Sequence, residues 1–131
     1  MRRFSGAEPS RWQGFLASFY GGINEELLLR FGLLTLFAWA FGKLSHTAEG
    51  RTTPAAFWTA NLLAALLFGA GHLPAASVMI GHLTPMLVLR TIMLNGVAGI
   101  VLGYLYWKRG LESSMVAHFS VDLIAHVLMP G

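Results

Sequence analysis

The sequence has no cysteine among its 131 residues, which excludes disulfides, a thiolate nucleophile and thiolate metal ligands together. Charge is scarce as well. Only 11% of residues are Asp, Glu, Lys or Arg, where an ordinary soluble domain has about a quarter. The net charge of +3 is small and scattered, so no nucleic-acid partner is expected. The basic start of the chain is not followed by a compact apolar core and a small-residue cleavage site, so no removable signal peptide is expected either. No inverted repeat relates the two halves, which speaks against a small proton-coupled transporter.

What the chain has in abundance is apolar sequence: 55% hydrophobic residues and a mean hydropathy of +0.59. This composition reads as all-α, a single membrane domain over residues 1–131 built as an integral bundle of about four transmembrane helices of about 20 residues each. Residues 1–11 read as a polar tail on the membrane surface, with Trp12 and Tyr20 as interface anchors. Helix one is expected over residues 15–43, a polar loop over residues 43–54, and helix two over residues 55–71. Pro74 disfavours helix at Leu73, which puts His72 where helix two ends or kinks. A connection of roughly ten residues holding His82 is then expected. Helix three follows over residues 85–107 and helix four over residues 111–129.

Gly96, Gly99 and Gly103 form a small-residue stripe of the kind that packs membrane helices closely. Tyr104, Tyr106, Trp107, Lys108 and Arg109 close helix three with an interface signature. Arg90 reads as snorkelling to headgroups and Asn95 as an interhelical hydrogen bond. His46 and His82 read as loop residues. With Arg2, Arg3 and Arg11 on one side and Lys43, Arg51, Lys108 and Arg109 on the other, the positive-inside rule gives no orientation.

Against this apolar background, Glu25, Glu26 and Arg30 stand out within helix one. A charge near the bilayer centre costs about 2.5–3.5 kcal/mol even on mild insertion scales, so each needs an internal partner. Glu26 and Arg30 are four apart, share a helical face and can pair. Glu25 is turned away from that pair and is expected to face His72 and His118. On helix four, His118 and Asp122 also share a face, and His126 continues the stripe. Glu25, His72, His118 and Asp122 are therefore available to converge from three helices. A carboxylate with two imidazoles suits general acid/base chemistry. The same set could hold a divalent metal such as zinc, since two His and a carboxylate form a known catalytic site. A serine nucleophile has little support, because no nucleophile elbow surrounds Ser113, Ser114 or Ser120.

Glu25-Glu26-x-x-x-Arg30, then Phe68-x-x-x-His72, then His118-x-x-x-Asp122, in this order and on apolar helices, resembles the signature of the CPBP family of intramembrane proteases. That family comprises the CAAX prenyl endopeptidases and their bacteriocin-processing or immunity relatives, also called Abi. Gly103-Tyr104-Leu105-Tyr106 looks like the family's approach to its third motif, and the likeness covers about residues 18–129.

The resemblance implies an endopeptidase that hydrolyses a peptide bond near or within the bilayer. By that resemblance Glu25 activates a water, His72 assists it, and His118 with Asp122 stabilises the oxyanion. Glu26 and Arg30 are then the supporting pair. Asp122 departs from the best-understood members, which carry Asn. An ionised carboxylate only accepts hydrogen bonds, so Asp122 is expected to orient His118 and stabilise its charged form.

No cofactor is favoured. If the chemistry is metal-dependent, Glu25, His72 and His118 are the expected ligands. The expected partners are a peptide or membrane-protein substrate and the lipid bilayer, and the expected location is the cytoplasmic membrane of a bacterium. Four helices are few to enclose a water-accessible chamber, which points to an oligomer, additional subunits or a larger chain. The alternative within the same family is a non-catalytic immunity or partner-binding protein that keeps the polar cluster for stability.

Overall fold

The structure is a computed structural model that describes residues 10–129. Four helical stretches make up nearly all of it, and the described residues contain no strand beyond an isolated bridge between His46 and Thr52. Most of the tail expected at residues 1–11 lies outside the described residues. The portion that is described is not tail: Ser10 caps helix one, and Arg11 is its first residue. Ser10 and Gln13 form a reciprocal capping box, with Ser10 N donating to Gln13 Oε1 at 2.9 Å and Gln13 N donating to Ser10 Oγ at 3.3 Å.

Helix one runs over Arg11–Leu44, longer at its start than the apolar pattern suggests. Its middle is wound as π-helix over Tyr20–Glu25 and Leu27–Leu34, with ordinary α-helix on both sides. Such windings are rare and concentrate at functional sites. Here they coincide with the acidic pair and with the buried glycines Gly21 and Gly22. Helix two starts at Pro54, where the Thr53 hydroxyl accepts from Ala56 N at 3.2 Å, and runs to Gly71.

After His72 the chain does not enter a ten-residue loop. It continues as a helix over Leu73–Ile80. Pro74 falls in the first turn of that segment, where its missing N–H costs nothing, so it starts a helix instead of ending one. Gly81, at φ 87°, then stops it in a left-handed conformation that suits glycine. Helix three, Pro85–Arg109, is capped by Thr84, and helix four runs over Leu111–Leu123 with a π-wound continuation at Ile124–Leu128.

Three of the four helices are long and apolar enough to cross a membrane by length and composition. Helix four is shorter and carries Glu112, His118, Asp122 and His126. The distribution of exposure is that of a membrane protein. Leu28 is 68% exposed and Trp39 60%, while Glu26 is fully buried two residues from Leu28.

Helices two and three pack closely along their lengths. A Cβ on Gly69 would lie 3.1 Å from the Ile92 Cα, and one on Gly99 3.1 Å from the Ala65 Cα, so these glycines let the two backbones meet. Gly103 leaves room for the buried side chain of Asn61, whose Nδ2 donates to Ile100 O at 3.1 Å. The interhelical amide is thus Asn61. Asn95 instead turns back on its own helix and donates to Thr91 O at 2.9 Å. Leu34, Phe57, Ala60 and Ala64 form a buried cluster where the second half of helix one meets helix two. The first half of helix one packs against helix four. The acidic pair lies at this change of neighbours, which allows it to reach helices three and four.

Candidate active site

Glu26 is the centre of the polar cluster. Its Oε2 lies 3.5 Å from Arg30 Nε, as the four-residue spacing implies, and also accepts from the Ser114 hydroxyl. Its Oε1 accepts from His118 Nδ1 at 2.6 Å. Glu26, Ser114 and His118 are all buried. The Glu26 carboxylate thus takes one donor from its own helix and two from helix four. Arg30 is equally committed: Nη2 donates to Gly99 O on helix three at 3.1 Å, and the guanidinium lies 5.0 Å from the centre of the Phe68 ring on helix two. One ion pair therefore ties all four helices together.

With Nδ1 of His118 held by Glu26, the opposite nitrogen faces two further acids. His118 Nε2 is 3.5 Å from Asp122 Oδ2 on the next turn and 3.9 Å from Glu25 Oε2. Glu25 therefore reaches His118, but on a ring that its neighbour holds as well. The adjacent carboxylates Glu25 and Glu26 lie at the two nitrogens of a single imidazole, an arrangement that α-helical spacing alone does not suggest and that occurs where the helix is π-wound. Glu25 Oε2 is buried and has no hydrogen-bond partner among the described residues.

Gly21 makes this arrangement fit. A Cβ there would overlap Asp122 Oδ2 and lie 3.1 Å from His118 Nε2. Gly22 does the same for the next position along the helix, where a Cβ would sit 2.9 Å from that of Phe119. Both glycines were silent in the motif pattern, because the need for them arises only from the helix that packs over them.

His72 makes its hydrogen bond to helix two. Its Nδ1 donates to Phe68 O at 2.7 Å, and because a carbonyl can only accept, this contact places the proton of a neutral ring on Nδ1 and leaves Nε2 as an acceptor. Phe68 packs at a steep angle against both imidazoles, with ring centres 4.6 Å from His72 and 5.8 Å from His118. Among the described residues no hydrogen bond joins His72 to Glu25, His118 or Asp122.

His126 is exposed, and its backbone lies against Gly14. His46 and His82 lie in connections between helices. Among the described residues no group of three or more His, Asp or Glu side chains is placed to hold a metal ion.

Ser114, which lacks a nucleophile's setting in the sequence, enters the cluster as a hydrogen-bond donor to Glu26. It precedes His118 by four positions on the same helical face, and that spacing was its one sequence signal.

A helical membrane bundle with a carboxylate, an imidazole and a second carboxylate gathered in one cluster holds the groups that general acid/base chemistry uses. The chain belongs to the family described as type II CAAX prenyl endopeptidase, Rce1-like, whose model matches residues 7–124. No curated protein and no solved structure matches it. It is thus an integral membrane protein of an intramembrane endopeptidase family.

Proposed function

We propose that this chain is itself an intramembrane endopeptidase, acting in the cytoplasmic membrane of a bacterium on a peptide segment presented from the bilayer. Glu25 is the general base. Its Oε2 takes a proton from the water that attacks the peptide carbonyl carbon, and the same proton passes to the leaving amine as the C–N bond breaks. His72, with Nε2 free to accept, orients that water. His118 stabilises the tetrahedral intermediate. An imidazolium at this position donates Nδ1–H to Glu26 and Nε2–H to the oxyanion.

Asp122 serves through His118: an ionised carboxylate cannot donate to an oxyanion, but at 3.5 Å it supports the charged ring.

The observation that carries this reading is the Glu25 carboxylate oxygen, buried, without a hydrogen-bond partner among the described residues and 3.9 Å from His118 Nε2. A structural acid would be expected to have its oxygens satisfied, as those of Glu26 are. The test uses the purified protein in detergent or liposomes with a farnesylated peptide ending in a CAAX sequence as probe. Wild type should cleave it, and Glu25→Gln should not while remaining inserted and helical. Cleavage retained in Glu25→Gln overturns the mechanism and leaves a non-catalytic binding protein as the better reading.

A further inference from the structure

Ser114 is fully buried in the seam between helices one, three and four. Its hydroxyl behaves unlike those of other helical serines in the chain. Ser18 and Ser120 each turn back to a carbonyl of their own helix, Gly14 and Val116, and Ser113 reaches only Arg109 O, four residues back at the very end of helix three. Ser114 crosses to other helices instead, reaching Glu26 Oε2 on helix one and Leu102 O on helix three, the latter at 3.1 Å.

Both neighbours are acceptors, and a hydroxyl has one proton to give. Leu102 lies inside helix three, where its carbonyl has the helix's own amide as donor. Glu26 Oε2 has otherwise only the Arg30 Nε at 3.5 Å, and Arg30 is also drawn to Gly99 O. The hydroxyl is therefore the close donor on this oxygen.

We propose that Ser114 is a positioning residue of the site: by holding one oxygen of Glu26 it fixes the carboxylate so that the other oxygen receives the Nδ1 proton of His118, which turns Nε2 towards Glu25 and Asp122. The proposal rests on the reading of His118 as the group that stabilises the oxyanion. Without the hydroxyl, Glu26 is free to rotate towards Arg30, the Nδ1 contact lengthens, and the ring loses the restraint on its tautomer and direction.

The test reads the ring directly. Protein carrying ¹⁵N-labelled histidine is prepared in detergent micelles, and the His118 signals are identified by their loss in His118→Gln. In wild type they should report a proton held on Nδ1. Ser114→Ala should move them in the same direction as Glu26→Gln, and the double variant should show no further movement. Cleavage of the farnesylated CAAX peptide should fall roughly 10- to 100-fold in kcat for Ser114→Ala, the cost of one hydrogen bond to a charged group, with KM unchanged. Ser114→Cys, close in shape and a weaker donor, should give an intermediate shift, and it carries the comparison if Ser114→Ala fails to fold.

Unmoved His118 signals in Ser114→Ala, or shifts that simply add in the double variant, overturn the proposal. The ¹⁵N signals do not depend on turnover, so the two readings fail separately. Cleavage surviving Glu25→Gln defeats the catalytic reading. An inactive Glu25→Gln beside an unmoved His118 in Ser114→Ala defeats this one alone.

Discussion

His118 Nδ1 donates to Glu26 Oε1 across 2.6 Å, joining two residues 92 positions apart on helices four and one. The contact turns what looks in the sequence like a self-sufficient Glu26–Arg30 pair into one half of a histidine-holding device. It also divides the labour of the two adjacent glutamates: Glu26 is saturated with donors and holds the ring, while Glu25 keeps a free oxygen on the ring's other side.

The first prediction concerns that free oxygen. Glu25→Gln should lower kcat on a farnesylated CAAX peptide by about 10²–10⁴-fold, the usual contribution of a general base. The far-UV spectrum and detergent elution of the variant should match wild type, since Glu25 is a quarter exposed and its Oε2 has no hydrogen bond to lose among the described residues.

Glu26 should behave in the opposite manner, as a stability residue first. Glu26→Ala leaves the buried Arg30 without its counter-charge and should cost about 3–5 kcal/mol, visible as a large drop in thermal midpoint in detergent. Adding Arg30→Met to Glu26→Ala should recover some of that loss. A double variant less stable than either single would contradict the buried-pair account.

Gly21→Ala should displace Asp122, because the new methyl overlaps Asp122 Oδ2. Cleavage should fall sharply in this variant. The conflict is with one side chain, so in an Asp122→Ala background the same change should cost little further stability. An additive loss in the double variant would mean that Gly21 is needed by the helix backbones and not by Asp122.

A control away from the site is Asn61→Leu. It removes the bond to Ile100 O and presses a branched side chain against Gly103, so the thermal midpoint should fall by the equivalent of about 1–3 kcal/mol. The kcat of the folded fraction should stay near wild type. A kcat loss at full folding would show that helix two to helix three packing sets the site geometry.

Several features were legible in the sequence because they depend on one helix at a time. The apolar runs gave the helical membrane class, since a bilayer leaves a chain few ways to satisfy its backbone. Four-residue spacing gave the Glu26–Arg30 contact and the His118–Asp122 contact, at 3.5 Å each. The glycine stripe gave the close approach of helices two and three. By contrast, Pro74 misled where it stood alone as a breaker, because the same residue is well suited to the first turn of the segment that follows.

What no single helix contains was decided by the tertiary structure. Spacing along helix one turns Glu25 and Glu26 in different directions and cannot say that both will meet one histidine on helix four, Glu26 at 2.6 Å and Glu25 at 3.9 Å. The π-winding around the acidic pair and the close seat of helix four over Gly21 and Gly22 set that relation. They bring Ser114 onto Glu26, and Phe68 packs against both His72 and His118. The sequence by itself determined which polar groups must be buried, because charge in a bilayer demands partners. Only the packing of the four helices determined who those partners are.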